Sequence, residues 1–190
     1  MKKNYIILDT ETGGIDPKTS SLLQVGIVFV KDNEVVDKRL WNIRNEIYKV
    51  SPSAMKVNNL DLSVLYNTGV DIETFFTGLN IIVHRIYNDD DKPIVIGHNV
   101  AFDLSYINHY LGKERWETLF SYRTIDTATI GKFLNDCGVI SIDKNDLDTL
   151  SIFFNVQEPL GDRHTALYDA LITWELYKKM VNYIRGNIGV

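Results

Sequence analysis

Three strand-like runs fall in the first 43 residues, separated by turns too short to hold a helix. Residues 5–9 are apolar after a polar start, 22–30 are rich in Val and Ile, and 34–43 follow a tight Lys31-Asp32-Asn33 turn. Gly13-Gly14 and Asp16-Pro17 punctuate the first connection. Consecutive strands joined by turns of this kind suggest antiparallel pairing. The chain therefore opens as an antiparallel meander.

Helical periodicity takes over after that. Ser51-Pro52 opens a short helix, and Asp61 or Ser63 caps another. Residues 71–87 carry Ile72, Phe75, Phe76, Leu79, Ile82, Val83 and Ile86 at a 3.6-residue period. A strand at 93–97 leads into a helix at 99–111, and a strand at 122–126 leads into another helix. A short helix at 146–154 and a long one at 165–184 complete the order β-β-β-α-β-α-β-α-α. The expected fold is α/β: a mixed five-stranded sheet, three antiparallel strands followed by βα crossovers, flanked by helices. With 190 residues, no internal repeat and no Pro/Gly/Ser-rich linker, residues 1–190 are expected to form a single domain.

Composition excludes several classes. A hydrophobic fraction of 45% with 24% charged residues is that of a folded chain rather than a disordered one. No apolar stretch approaches the ~18 residues that span a membrane, and the N-terminus lacks the pattern of a signal peptide. The one cysteine, Cys137, cannot form an internal disulfide and is expected to pack in the interior. A cytoplasmic protein is expected. The formal net charge of −5 means that bulk charge does not draw the chain to nucleic acid, so any such contact must be local or mediated by metal ions.

The chemistry is concentrated in acids. Period two places Asp9 and Glu11 on one face at the end of the first strand. Asp103 shares an inward helical stripe with Ile107, Tyr110 and Leu111, and Asp169 borders the apolar stripe of the last helix. Each has a plainer reading: a strand end opening to solvent for the first pair, and an acid favoured by the helix dipole for Asp103. His164 stands five residues before Asp169, in a stretch that reads as loop. Four acids and a histidine from separated segments suit two divalent cations, whose charge balances the four carboxylates. Hard oxygen ligands favour Mg²⁺ or Mn²⁺, and such a pair serves phosphodiester hydrolysis. His164 then has the right pKa for a general base.

Asp9-Thr10-Glu11-Thr12-Gly13, His98-Asn99-Val100-Ala101-Phe102-Asp103 and His164-Thr165-Ala166-Leu167-Tyr168-Asp169-Ala170 resemble, in order, the three motifs of the DEDDh (DnaQ-like) exonucleases. That group includes the proofreading epsilon subunit of bacterial DNA polymerase III, oligoribonuclease and ribonuclease T. The resemblance implies an RNase H-like fold and 3′→5′ hydrolysis at the 3′ end of single-stranded DNA or RNA, DNA being favoured, with release of nucleoside 5′-monophosphates. It assigns Asp9, Glu11, Asp103 and Asp169 to metal binding and His164 to general base. It places Thr10, Thr12, His98, Asn99 and Phe102 along the substrate, and it raises a DNA polymerase as partner. One departure stands out: epsilon-like members carry His-Gly-Ile where this chain has Val57-Asn58-Asn59-Leu60. The rival readings are a catalytically silent nucleic-acid- or protein-binding module on the same fold, and an oligoribonuclease-like RNA exonuclease.

Overall fold

In a computed structural model that describes residues 3–88, 91–159 and 165–188, β1 (Tyr5–Thr12) is the middle strand of a five-stranded sheet ordered β3-β2-β1-β4-β5. β2 (Leu22–Lys31) pairs antiparallel with β1, and β3 (Glu34–Asn42) antiparallel with β2. β4 (Ile94–Gly97) runs parallel to β1, and β5 (Thr124–Asp126) parallel to β4. This is the expected mixed sheet, an antiparallel meander extended by βα crossovers.

Alternation along β1 divides the core. Ile6 and Leu8 face one side, with Val25, Ile27 and Phe29 of β2. They are covered there by α3 (Ile72–Ile86) and α4 (Val100–Leu111), through Phe75, Leu79, Tyr106 and Ile107. Tyr5 and Ile7 face the other side, with Val28, Val30 and Ile96, under Ala170 and Trp174 of α8 (Ala166–Ile188). β2 is buried on both faces, which explains its largely apolar sequence. A third cluster joins α8 to α6 (Thr127–Asp136) and α7 (Leu147–Phe153) through Leu134, Leu150, Leu176 and Met180. The short α1 (Pro52–Asn58) and α2 (Leu62–Thr68) are N-capped by Ser51 and Asp61. Among the described residues no helix is long and apolar enough to cross a membrane.

Two features depart from the sequence expectations. A seven-residue helix, α5 (Lys113–Leu119), follows α4 after Gly112 turns the chain at φ 84°. It buries just Trp116 and Leu119, too few residues to register as a period. Cys137 is exposed rather than packed inside, because it follows the last turn of α6 on the solvent side.

The β2–β3 register shifts between Phe29 and Val30. Val30 N–H donates to the Tyr87 hydroxyl at 3.0 Å, and that hydroxyl lies 2.8 Å from the Tyr5 carbonyl and 3.2 Å from that of Val30. Tyr87 thus links the end of α3 to both central strands. Tyr87→Phe should leave these buried groups unpaired and cost about 1–3 kcal/mol, read as a lowered urea midpoint with unchanged slope.

Candidate active site

β1 and β4 pair through Ile7 and no further. Beyond that point β1 has β2 on one side and, on the other, the crevice where β4 ends and α4 begins. In open sheets this place, past the carboxyl ends of parallel strands where the order switches, is where ligands are bound. Asp9 and Glu11 stand on the last part of β1, on the face that α8 covers. Carboxylate oxygens of Asp9, Glu11 and Asp169 all lie within 4.8 Å of one another. Asp169 reaches them from the first turn of α8, where Thr165 Oγ1 caps the helix by accepting from Tyr168 N–H at 3.3 Å.

Asp103 approaches from the opposite face. It is buried, 3% exposed, and its carboxylate accepts from the Thr10 hydroxyl at 2.7 Å. It lies outside the trio yet close enough for its charge to act on Asp9. Thr10 therefore turns its hydroxyl onto an acid, and the same residue lines the cavity that Phe102 borders.

Like charge without a cation is costly here. Burial, then Asp103, Asp169 and Glu11, push the Asp9 carboxyl well above the ordinary range. Burial, then Asp169 and Asp103, raise Glu11 to about 8. Burial raises Asp103 to about 7 against the hydrogen bond from Thr10. Three clustered carboxylates, two of them with ionisation opposed by burial and by neighbouring acids, fit a divalent cation by donor type and by charge.

The remaining expected residues divide. Phe102 is half-buried and lines a cavity of about 560 Å³ that opens beside Glu11 and Thr12, with Ile15 and Val57 on its wall. Thr12 is buried and donates to the Gly14 carbonyl at 2.7 Å, holding the turn beneath Ile15. Asn99 is exposed, with φ 60°. His98 stands away from the acids, its Nδ1 3.0 Å from Thr127 Oγ1. Burial lowers its pKa despite the charge of Asp126. It braces the junction of β4 and α6. His164 lies outside the described residues.

Some positioning residues were not singled out from the sequence. Gly26 faces Asp9 across the ladder, and a Cβ there would run into the Ala166 carbonyl carbon and the Leu167 nitrogen. The first turn of α8 thus sits directly on β2. Gln24, opposite Glu11, accepts from Ala166 N–H at 3.5 Å. A glycine inside a Val/Ile-rich strand is the signal of such a close approach. Asp126 caps α6 and also accepts from Asn99 N–H at 2.8 Å, fixing the turn from which α4 carries Asp103. Asn58, from the divergent 57–60 stretch, is buried and donates to the Thr12 carbonyl at 3.2 Å.

Two outcomes follow. An acid whose folded pKa is raised keeps a proton that the unfolded chain gives up near pH ~4, so folding loses stability as pH climbs from there and levels off above the folded value. With Glu11 at about 8, the cation-free protein should melt lower at pH 8 than at pH 5. Mn²⁺ should raise Tm more at pH 8, and Glu11→Gln should flatten both trends in differential scanning fluorimetry. Gly26→Ala should raise the Mn²⁺ concentration needed for half-maximal Tm shift. Gly131→Ala, which presses on Leu150 far from the acids, should lower Tm without that effect.

No protein-family profile matches the chain. It is 24% identical over 187 residues to a DNA polymerase III of PolC type from Ureaplasma parvum, covering 98% of this chain and 12% of that one. It is 28% identical over 189 residues to ribonuclease T of Shewanella baltica, covering 93% of this chain and 81% of the relative. Among solved structures, E. coli exonuclease I in complex with a dT13 oligonucleotide superposes with a TM-score of 0.77 at 15% identity, over 98% of this chain and 42% of that one. Exonuclease X in complex with 5′-overhanging duplex DNA gives 0.60 at 22% identity, over 94% and 91%. By sequence the chain is homologous to ribonuclease T and PolC-type polymerases, and by fold it is like exonuclease I, relatives within the DEDDh exonucleases that its three acidic motifs resemble.

Proposed function

We propose that this protein is a metal-dependent 3′→5′ exonuclease acting on single-stranded nucleic acid. The observation that carries the reading is the meeting of Asp9, Glu11 and Asp169 within 4.8 Å, beside a cavity whose wall combines an acid with apolar side chains. A silent binding module has no use for acids held together at this electrostatic cost. The names and folds of the relatives support the same reading.

Asp9, Glu11 and Asp169, with Asp103 as a fourth, would hold two Mg²⁺ or Mn²⁺ ions. Such a pair, when bound, supplies a water acidic enough to attack at neutral pH and charge to stabilise the leaving oxygen. The chain's own residues do the rest. Thr10 keeps Asp103 turned toward the cluster, and Gln24 and Gly26 keep Asp169 over β1. Ile15, Val57 and Phe102 offer an apolar wall to a terminal base, beside the Thr12 main chain. Asn99 is exposed at the same edge. His164, by resemblance, takes the proton from the attacking water. The protein would act in the cytoplasm, alone or beside a DNA polymerase. DNA is the favoured strand, and RNA is the alternative that the ribonuclease T relatives raise.

The test is digestion of end-labelled single-stranded DNA and RNA with Mg²⁺, Mn²⁺ or EDTA. Nucleoside 5′-monophosphates should be released from the 3′ end, a 3′-phosphate should block release, and EDTA should abolish it. Asp9→Asn should reduce kcat by orders of magnitude. His164→Ala should reduce it about 10²–10⁴-fold and remove the rise in rate through the histidine pKa, near ~6.5. Full hydrolysis in EDTA, or none with either cation, contradicts the proposal.

A further inference from the structure

α8 has a second end, and the chemistry there is opposite in sign. Past Trp174 and Tyr177 the helix carries Lys178 and Arg185. Together with Lys3 and Tyr5 these residues line a cavity of about 500 Å³. The chain carries 25 acids against 20 lysines and arginines, yet among the described residues three cations and no carboxylate line this cavity. The cavity beside α7, in contrast, is lined by Asp146, Asp148, Glu158 and Asp169.

The three cations differ. Lys178 is held by Glu175 at 2.8 Å and lies 5.6 Å from the Trp174 ring centre. Lys3 and Arg185 are exposed, and among the described residues no carboxylate pairs with either. Both act on Tyr177. Burial and a hydrogen bond with Tyr5 hold its hydroxyl up at about 12, while the two cations pull the other way. Two cations drawn from separate segments around one hydroxyl repel each other, and an anion between them would relieve that repulsion. The half-buried Tyr177 ring adds an apolar surface, itself stacked on Trp174 at 6.0 Å and 29° and edge-on to Tyr5 at 5.9 Å.

We propose that this cavity is an accessory nucleotide site, which seats a phosphate between Lys3 and Arg185 and a base against Tyr177. A phosphate paired with a flat π-face is what a nucleotide offers to cations flanking an aromatic side chain. The 16 residues from Asp169 to Arg185 separate the two sites by ~24 Å along α8. A strand whose 3′ end lies at the acids therefore reaches this cavity several nucleotides upstream, if it is the strand that is held; a free nucleoside monophosphate is the other source of the same chemistry. The strand source rests on the exonuclease reading.

Binding is measured in EDTA, without turnover, by fluorescence anisotropy of labelled oligothymidylates of increasing length, and by calorimetry with thymidine 5′-monophosphate. Lys3→Gln combined with Arg185→Gln should weaken the ligand that is held about tenfold. For strands it should reduce the slope of log K against log salt by about 0.7, the worth of one phosphate contact. Tyr177→Leu should weaken binding by a similar factor without changing that slope. Lys3→Arg with Arg185→Lys should restore it. Turnover of a dinucleotide in Mg²⁺, too short to span the two sites, should match the parent. Loss confined to long oligomers identifies the strand, and loss of the monophosphate identifies the free nucleotide; either supports the site. Unchanged affinity and salt slope for every ligand overturn it, as does binding of oligoglutamate in place of nucleotides, which would make the cavity a protein-docking site. A protein that binds here but hydrolyses nothing in Mg²⁺ or Mn²⁺ fails the exonuclease reading and leaves this one standing.

Discussion

Electrostatic repulsion among acids is the constraint around which the rest of the molecule is arranged. Asp9, Glu11 and Asp169 would lie farther apart if their backbones were free to move. They are not, because each sits on an element held by burial elsewhere. β1 is pinned by Ile6, Ile7 and Leu8 between two apolar layers, and α8 by Ala170, Trp174, Leu176 and Met180. The apolar core supplies the force, and the acids carry the strain at its edge. The raised pKa values of Asp9 and Glu11 express that strain, which a cation turns into binding free energy.

Precision comes from small devices at the junctions. The absent side chain of Gly26 sets the height of α8 above β2. The Asp126 carboxylate accepts from Asn99 N–H and from Ala128 N–H, at 2.8 and 3.0 Å, and so ties the starts of α4 and α6 to each other. Asn58 holds the Thr12 carbonyl from α1. None of these side chains belongs to the acid trio, and each fixes the path of a segment that carries or borders it.

The mixed sheet and the inward placement of the acids were legible in the sequence because both rest on local patterns. Period-two alternation in β1, the 3.6 period of α3 and the turns that suggest an antiparallel start are all visible without tertiary information. Asp103 was legible as an inward acid from its place beside Ile107 and Leu111. What stayed hidden depends on contact between distant segments. Nothing around Thr10 announces that its hydroxyl meets Asp103, 93 residues away. The bond of Asp126 to Asn99 requires β4 and β5 to lie side by side. α5 escaped notice because two buried residues make no period.

The order in which the acids occur along the chain has its own consequence. Asp9 and Glu11 precede Asp169 by most of this sequence, and Asp169 arrives on α8, docked against strands translated before it. A ribosome builds the chain from its N-terminus, so a half-made polypeptide can form the meander and still lack the third acid. The trio closes when α8 folds back over β1 and β2. A nuclease arranged in this way comes of age late, at a point when nearly all of these residues have been translated from its own message.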